Sequence, residues 1–392
     1  MAISRGLVGV LLASSPAMAL LYTVASPILP QMAAQLGGDP DDAILVAQLV
    51  MMVPSIGLML GGPLMGWLVD RWGAPRLLWV ACAGYALLGS GGLYLAEPWS
   101  LIGSRFLLGI MAAGLGTATL ALTARYFEPQ ARSRLVGYQS ACGALVGLMS
   151  MLAAGYLGQV FGWRIPFAFY LAALPLLVMA LVFIPKTNQH AGEPAGSAGQ
   201  TSLGSMVWLL LGIVPLFICV FTSSTQVSFL LAERGVVQPS VVAIVIAMSA
   251  LFNTLGAAGY GRLSLRFGSP RMYLLALVSL AAGHVVVGMS APTLVAALGC
   301  ALTGYGSGLL LPYLVNLVLD RCEEAQRGRA VGLMYSCMFL GSFLNPLLLA
   351  PLAVYLGRGT AVIMIGLALL IYWVILLVLR VRPTAQRCAS AE

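Results

Sequence analysis

Apolar residues in this chain do not alternate with polar ones; they run on. Twelve runs stand out, at residues 7–34, 44–69, 76–95, 99–126, 135–160, 165–184, 205–231, 240–262, 272–290, 293–319, 328–356 and 360–380. Each is about 20 residues or more, enough to cross a hydrocarbon core of about 30 Å at about 1.5 Å rise per residue. A spanning backbone must satisfy its own polar groups, which leaves helices or a closed barrel. Barrel strands alternate and these runs do not, so the pattern predicts twelve transmembrane helices, here numbered spans 1 to 12 in chain order.

A second pattern lies over the first. Residues 66–76 and 261–271 are near-copies at a constant offset of 195: Gly66, Leu68, Arg71, Gly73, Pro75 and Arg76 recur as Gly261, Leu263, Arg266, Gly268, Pro270 and Arg271. Glu128, Arg132, Arg134 and Gly137 recur in the same register as Glu323, Arg327, Arg329 and Gly332. One unit has been duplicated whole, and parallel halves of this kind enclose a substrate path between them. The organisation expected is an N-terminal six-helix half at 1–184, a polar cytoplasmic linker at 185–204, a C-terminal six-helix half at 205–382 and a cytoplasmic tail at 383–392. The main break in the repeat is Asp70, which becomes Leu265.

Composition agrees with a chain that uses lipid as its solvent: 60% hydrophobic, 8% charged, mean hydropathy +0.97. A soluble domain carries about a quarter charged residues. The net charge of +8 is distributed by topology. With Arg5 in the cytoplasm, 16 of the 20 basic residues fall on that side. Arg164, Arg234 and Arg358 fall outside and Arg105 within span 4. The positive-inside rule then puts both termini in the cytoplasm, and the basic excess implies contact with membrane lipids, not nucleic acid. The seven cysteines have no paired spacing and read as small packing residues. The first apolar run is too long for a cleavable signal peptide.

Gly66, Leu68, Asp70, Arg71, Gly73 and Arg76 resemble the signature loop between spans 2 and 3 of the major facilitator superfamily. Leu101, Arg105, Gly109 and Gly114 are similar to the span-4 arginine motif of its 12-helix drug:proton antiporter branch. Gly162, Trp163, Arg164, Pro166 and Phe167 resemble a junction common between spans 5 and 6 of that branch, and Arg327, Gly328, Arg329, Ala330 and Gly332 the usual loop between spans 10 and 11. The resemblance covers essentially the whole chain. It implies an all-α integral membrane protein with the major facilitator fold, acting by alternating access as an efflux transporter of the bacterial inner membrane. Two departures matter: Leu148 stands where a span-5 proline is expected, and span 1 lacks a carboxylate. A facilitator or importer of a siderophore-like or lipid-like compound is the alternative.

Two sets of residues are expected to do the work. The first is a cytoplasmic latch and coupling group: Asp70, Arg71, Gly66, Gly73, Arg76, Glu128 and Arg134, with Arg105 inside the bilayer. Asp70 can pair with arginines and with a helix N-terminus. Gly66 permits close helix approach and Gly73 a tight turn. Arg105 either braces spans 1 and 4 through backbone carbonyls or meets a protonatable or anionic partner. The second set lines a mostly apolar cavity: Tyr22, Gln31, Gln226, Asn253, Tyr305, Asn316, Tyr335 and Asn345. Few polar groups and 18 methionines suit a hydrophobic or amphipathic small molecule. No acid lies near a span centre, so proton coupling is assigned to the Asp70 region, an outer carboxylate such as Asp39 or Asp42, or His284, the last more simply a packing residue. No catalytic set, metal spacing or phosphate loop is visible. The expectation is a monomer that is no enzyme, needs no cofactor and has a small molecule, protons and lipids as partners.

Overall fold

In the computed structural model the described residues are 5–36, 40–184, 204–289, 292–321 and 327–389. Twelve helices among them are long and apolar enough to cross a membrane: Arg5–Gln35, Asp42–Trp72, Ala74–Leu93, Pro98–Tyr126, Leu135–Phe161, Ile165–Phe183, Val207–Glu233, Pro239–Phe267, Ser269–Gly288, Thr293–Leu319, Ala330–Leu356 and Arg358–Val378. They are spans 1 to 12, and each overlaps its sequence expectation closely. The last helix runs on to Ala389, through most of the stretch expected as a tail. Of the linker expected at 185–204, residues 185–203 lie outside the described set and Gly204 begins the helix Gly204–Glu233. With an even number of spans the two chain ends share one face of the bundle, here termed the terminal face; the opposite face is distal.

The duplication is written into the backbone. Among the described residues five glycines have positive φ, and four form pairs at the 195-residue offset: Gly73 (81°) with Gly268 (85°), and Gly162 (88°) with Gly357 (80°). Gly73 and Gly268 turn the chain from span 2 into span 3 and from span 8 into span 9, in a conformation that a Cβ would strain. Helix contacts repeat too. A Cβ at Gly109 would collide with the carbonyl oxygen of Pro54, and one at Gly304 with that of Ser249. These are the same positions in the two copies, spans 4 on 2 and 10 on 8. In lipid, where apolar side chains gain little by leaving the tails, such close backbone approach is what joins helices.

Each half has its own buried core. Leu11, Ile28, Met51, Leu78, Tyr85 and Phe167 belong to the first, and Ile213, Leu280, Leu309 and Met334 to the second. A third cluster crosses between the halves, packing Met151 of span 5 on Val227, Leu230, Val242 and Ile246 of spans 7 and 8.

Span 1 is not a uniform helix. Pro27 and Pro30 lack an N–H, and the chain tightens into a 3-10 turn at Ser26–Ile28. The Val24 N–H reaches Leu20 O only at 3.5 Å. The hydroxyl of Tyr170 on span 6 donates instead, to Leu20 O at 3.2 Å or Leu21 O at 3.4 Å. An outer helix thus completes the backbone hydrogen bonding of an inner one.

Candidate functional site: the seam between the halves

Hydrogen bonds between the halves run from the middle of the bundle to the distal face. Near the middle of span 2, Ser55 Oγ lies 3.0 Å from both Tyr22 Oη on span 1 and Ser342 Oγ on span 11. Ser342 also donates to Met52 Sδ at 3.0 Å, and Tyr22 packs its ring on Phe221 of span 7 at 5.8 Å between centroids. Further out, the span-1 turn engages span 7 reciprocally: Ser26 Oγ donates to Ser224 O at 3.0 Å, and Ser228 Oγ donates to Ser26 O at 2.6 Å. Gln48 Nε2 donates to Gln226 Oε1 at 3.3 Å and to Thr225 O at 3.4 Å. On the other flank Ser240 donates to Gln159, and a Cβ at Gly155 would strike the carbonyl of Pro239. The polar atoms of the seam are buried: Gln48, Ser55, Thr225 and Ser342 have no exposed surface.

Toward the terminal face the seam parts. A cavity of about 380 Å³ opens between spans 2 and 11, lined by Leu58, Met59, Gly62, Pro63, Gly332, Leu333, Tyr335, Ser336 and Phe339. Its walls are apolar and aromatic, with the hydroxyls of Tyr335 and Ser336 as its polar groups. The molecule is therefore closed distally and open toward the face that carries its ends.

Of the sequence-predicted cavity residues, Tyr22, Gln226 and Asn345 lie on the seam or directly behind it. Asn345 Nδ2 donates to Ile218 O at 2.7 Å and Thr222 Oγ1 at 2.9 Å, and its Oδ1 accepts from Thr225 at 2.6 Å, so it ties span 11 to span 7. Tyr335 lines the open cavity. Gln31 is part-buried and its Oε1 has no hydrogen-bond partner among the described residues. Asn253 donates to Ser307 at 2.8 Å inside the C-terminal half. Tyr305 packs in that half's core, and Asn316 is exposed in the last turn of span 10. Tyr305 and Asn316, both expected to line the cavity, are thus not brought to one polar site. Ser26, Gln48, Ser55, Gln159, Ser228, Ser240 and Ser342 are seam residues that sequence reasoning missed.

The latch residues lie on the parted side. Asp70 is exposed and has no hydrogen bond or ion pair among the described residues. Arg71 stacks on Trp67 at 5.3 Å. Gly66 has nothing within 4 Å of where a Cβ would stand, so the close approach expected there is not made in this state. Gly73 makes the expected turn. Arg76 is exposed, and Glu128 precedes the helix Pro129–Phe161 at its N-cap position without a side-chain cap. The side chain of Arg134 is outside the described set.

Arg105 points away from the seam. Its guanidinium donates to Gly89 O of span 3 at 2.6 Å and sits 4.5 Å over Phe167 and 5.0 Å over Tyr170 of span 6. It braces spans 3, 4 and 6, and reaches span 1 through Tyr170, whereas the expectation was spans 1 and 4. A desolvated cation over aromatic faces is a favourable pairing. His284 is fully buried, with Nδ1 2.7 Å from Leu280 O and Nε2 3.0 Å from Cys219 O of span 7; it is a packing residue that also tethers span 7. Of the outer carboxylates, Asp39 is outside the described residues, and Asp42 is exposed. No group of three potential metal ligands occurs among the described residues.

Two repeat-related six-span units meet at a polar seam, sealed on one face and parted on the other, an architecture that fits a membrane transporter. The sequence model of the Major Facilitator Superfamily matches residues 11–236 and 227–392, and the chain belongs to that family. It is 23% identical over 354 residues, 87% of either chain, to a multi-drug resistance efflux pump PmrA homolog from Lactococcus lactis. To the 3-(3-hydroxy-phenyl)propionate transporter of Escherichia coli it is 26% identical over 358 residues, covering 86% of this chain and 85% of that one. The solved structure of a peptide transporter POT superposes with a TM-score of 0.77 at 13% identity, over 96% of this chain and 94% of the other, which speaks for the fold alone.

Proposed function

We propose that this protein is a secondary active exporter that moves hydrophobic or amphipathic small molecules outward in exchange for protons, as a monomer in a bacterial inner membrane. The terminal face is cytoplasmic in this reading and the distal face external, supported by the basic residues clustered on the former. The observation that carries the proposal is the cavity between spans 2 and 11. It is open to the terminal face, spans both halves, and is walled by methionine, leucine, proline and aromatic side chains with two hydroxyls. Such walls suit an apolar body with a small polar handle and offer nothing to a highly charged solute.

The charged loop at Asp70 fits the same cycle. With the terminal side parted its carboxylate has no partner among the described residues. When the halves swing the other way, Asp70, Arg71, Arg76, Glu128 and Arg134 are drawn together as a latch, with Gly66 allowing helix contact. Only the N-terminal copy has the acid.

The test is uptake of a hydrophobic cationic dye into inverted membrane vesicles containing the protein. Uptake driven by an imposed pH gradient and collapsed by an uncoupler supports export. Equilibration indifferent to the gradient supports the second reading, a facilitator or importer of a small organic compound. That reading draws on the similarity to the propionate transporter named above and on the span-5 and span-1 departures from the antiporter pattern.

A further inference from the structure

The distal end of the seam contains an ion pair that the proposed cycle does not use. Arg358 stands at the corner between spans 11 and 12, 8% exposed. Its Nε donates to Glu233 Oε1 at 2.7 Å and its Nη1 to Gln226 Oε1 at 2.9 Å, and the guanidinium lies 5.2 Å from the Phe229 ring centroid. Gln226 Oε1 is also the acceptor for Gln48 Nε2 of the other half.

These contacts leave no freedom in how the two amides are turned. Both groups facing Gln226 Oε1 are donors, so Gln226 must present its oxygen, and Gln48 must then present its nitrogen. The outcome is costly: Gln48 Oε1 and Gln226 Nε2 are buried without hydrogen-bond partners among the described residues. An amide pair left to itself could rotate to use them. The guanidinium holds the arrangement, and the carboxylate of Glu233 compensates the guanidinium, which could not otherwise stay buried.

The geometry points to Arg358 as the positioning residue of the distal seal, and to Glu233 as the site through which protons on the distal side release it. Glu233 is half exposed, with 51% of its side-chain surface accessible while the seam is closed. Protons from the distal side therefore reach it without any opening. Once protonated it no longer compensates Arg358. The buried cation is then held by a neutral amide and an aromatic face, and moving out to water becomes the cheaper course. That withdraws the group that fixes Gln226 toward Gln48. Because Glu233 equilibrates with the distal side in this state, it acts as a sensor of acidity there and is not the carrier of a transported proton.

The surroundings offer little to substitute for it. A cavity of about 260 Å³ beside the pair is lined otherwise by Pro30, Ala33, Ala43 and Phe229 and other apolar residues of spans 1, 2 and 7. Further charges beside the pair are Asp42, exposed at the distal end of span 2, and Arg234, next to Glu233 in the chain, whose Nη2 donates to the carbonyls of Val287, Gly288 and Met289 while its Nη1 has no hydrogen-bond partner among the described residues. The repeat supplies an internal contrast. Position 358 corresponds to Trp163 at the 195-residue offset, and Trp163 Nε1 donates to Gln35 Oε1 of span 1 at 2.7 Å. That corner uses an indole, which protons do not alter.

The inference rests on the distal face being external, as proposed above, and its test separates the two. Spin labels at Ala96→Cys and Val237→Cys, on distal loops of opposite halves, report seam opening by pulsed electron resonance in nanodiscs, with the native cysteines replaced. On acidification from about pH 7 to about pH 4, the longer-distance population should rise about threefold or more. In Glu233→Gln it should be high at both pH values, and Arg358→Leu should behave likewise. Trp163→Phe should keep the acid response. A Glu233→Gln protein that responds to acid as the parent does, or a parent that does not respond, overturns the inference. Dye export measured on the same Glu233→Gln protein keeps the readings apart. An intact acid response with no proton-driven export in the parent sinks the export reading alone.

Discussion

The two halves fill one equivalent space in two ways. In the N-terminal half, position 89 is glycine, and the arginine at position 105 reaches across from span 4 to donate to its carbonyl at 2.6 Å. At the 195-residue offset, position 284 is histidine and position 300 is cysteine. There the polar group comes from span 9 itself, and the span-10 residue is a small buried thiol. The Gly89 backbone has room for the Tyr170 ring, which a Cβ would strike. Each solution ends on a carbonyl of the innermost helix: Tyr170 donates to Leu20 or Leu21 of span 1, and His284 meets Cys219 of span 7. The duplicated requirement is that an outer helix tether an inner helix through its backbone. The residues that meet it were free to diverge.

The comparison separates what the fold needs twice from what the mechanism needs once, and substitutions at paired positions can break it. The largest effect is expected where the copies agree. Gly109→Leu and Gly304→Leu each force a side chain into a facing carbonyl, and each should lower stability by about 3 kcal/mol or prevent insertion. Thermal melting of the detergent-purified protein reads this. If one variant melts like the parent while the other collapses, the halves do not share a packing frame. Next comes the position where the copies disagree. Asp70→Asn should cut dye transport about a hundredfold with normal insertion, whereas Leu265→Asp, at an exposed site, should leave transport within about twofold. Equal losses in both would mean the loop is a plain turn and the asymmetry has no mechanistic content.

Smaller, and confined to stability, is the effect of Arg105→Leu. It takes a donor from Gly89 O and a cation from the faces of Phe167 and Tyr170, for about 2 kcal/mol. Because the side chain does not touch the seam, dye affinity should not change once the variant is stabilised. A changed affinity at unchanged melting temperature would reassign Arg105 to the substrate path.

The spans were legible because lipid leaves a long apolar run few alternatives, and the positive-φ turns because glycine and proline mark them. The seam was legible only in part. Gln226 and Asn345 stood out as amides within apolar helices. Ser55 and Ser342 did not, since a serine in a helix usually bonds back to its own preceding turn, as Ser14 does to Leu11 O. Here two serines 287 residues apart meet across the halves, which no local pattern encodes. Arg358 was read as an outside charge that reports topology, and Glu233 was not singled out. Their burial beside Gln226 depends on two span ends arriving together. Arg105 was visible as a buried charge, but its direction was not, because a position within a run does not say which neighbours a helix face meets.

The smallest expected effect is at His284, and it bears most directly on the comparison. Both ring nitrogens face carbonyl oxygens. A neutral imidazole has one N–H and satisfies one of them; the imidazolium satisfies both. The Leu280 contact is local to span 9; with the N–H on Nε2 the bond goes to Cys219 O on span 7, and that tether is what His284→Leu removes. Interhelical hydrogen bonds in membranes contribute about 0.6 kcal/mol on average, so the loss should be about 1 kcal/mol once the change of shape is included. That is less than for Arg105→Leu, whose cation has two aromatic faces in addition to its carbonyl. His284→Gln retains an N–H donor and should recover part of the loss in the same melting experiment. If His284→Leu proves more damaging than Arg105→Leu, the two tethers are not equivalent answers to one requirement. Span 7 would then depend on its outer helix more than span 1 does, and the C-terminal half would be the one that must stay rigid while the other moves.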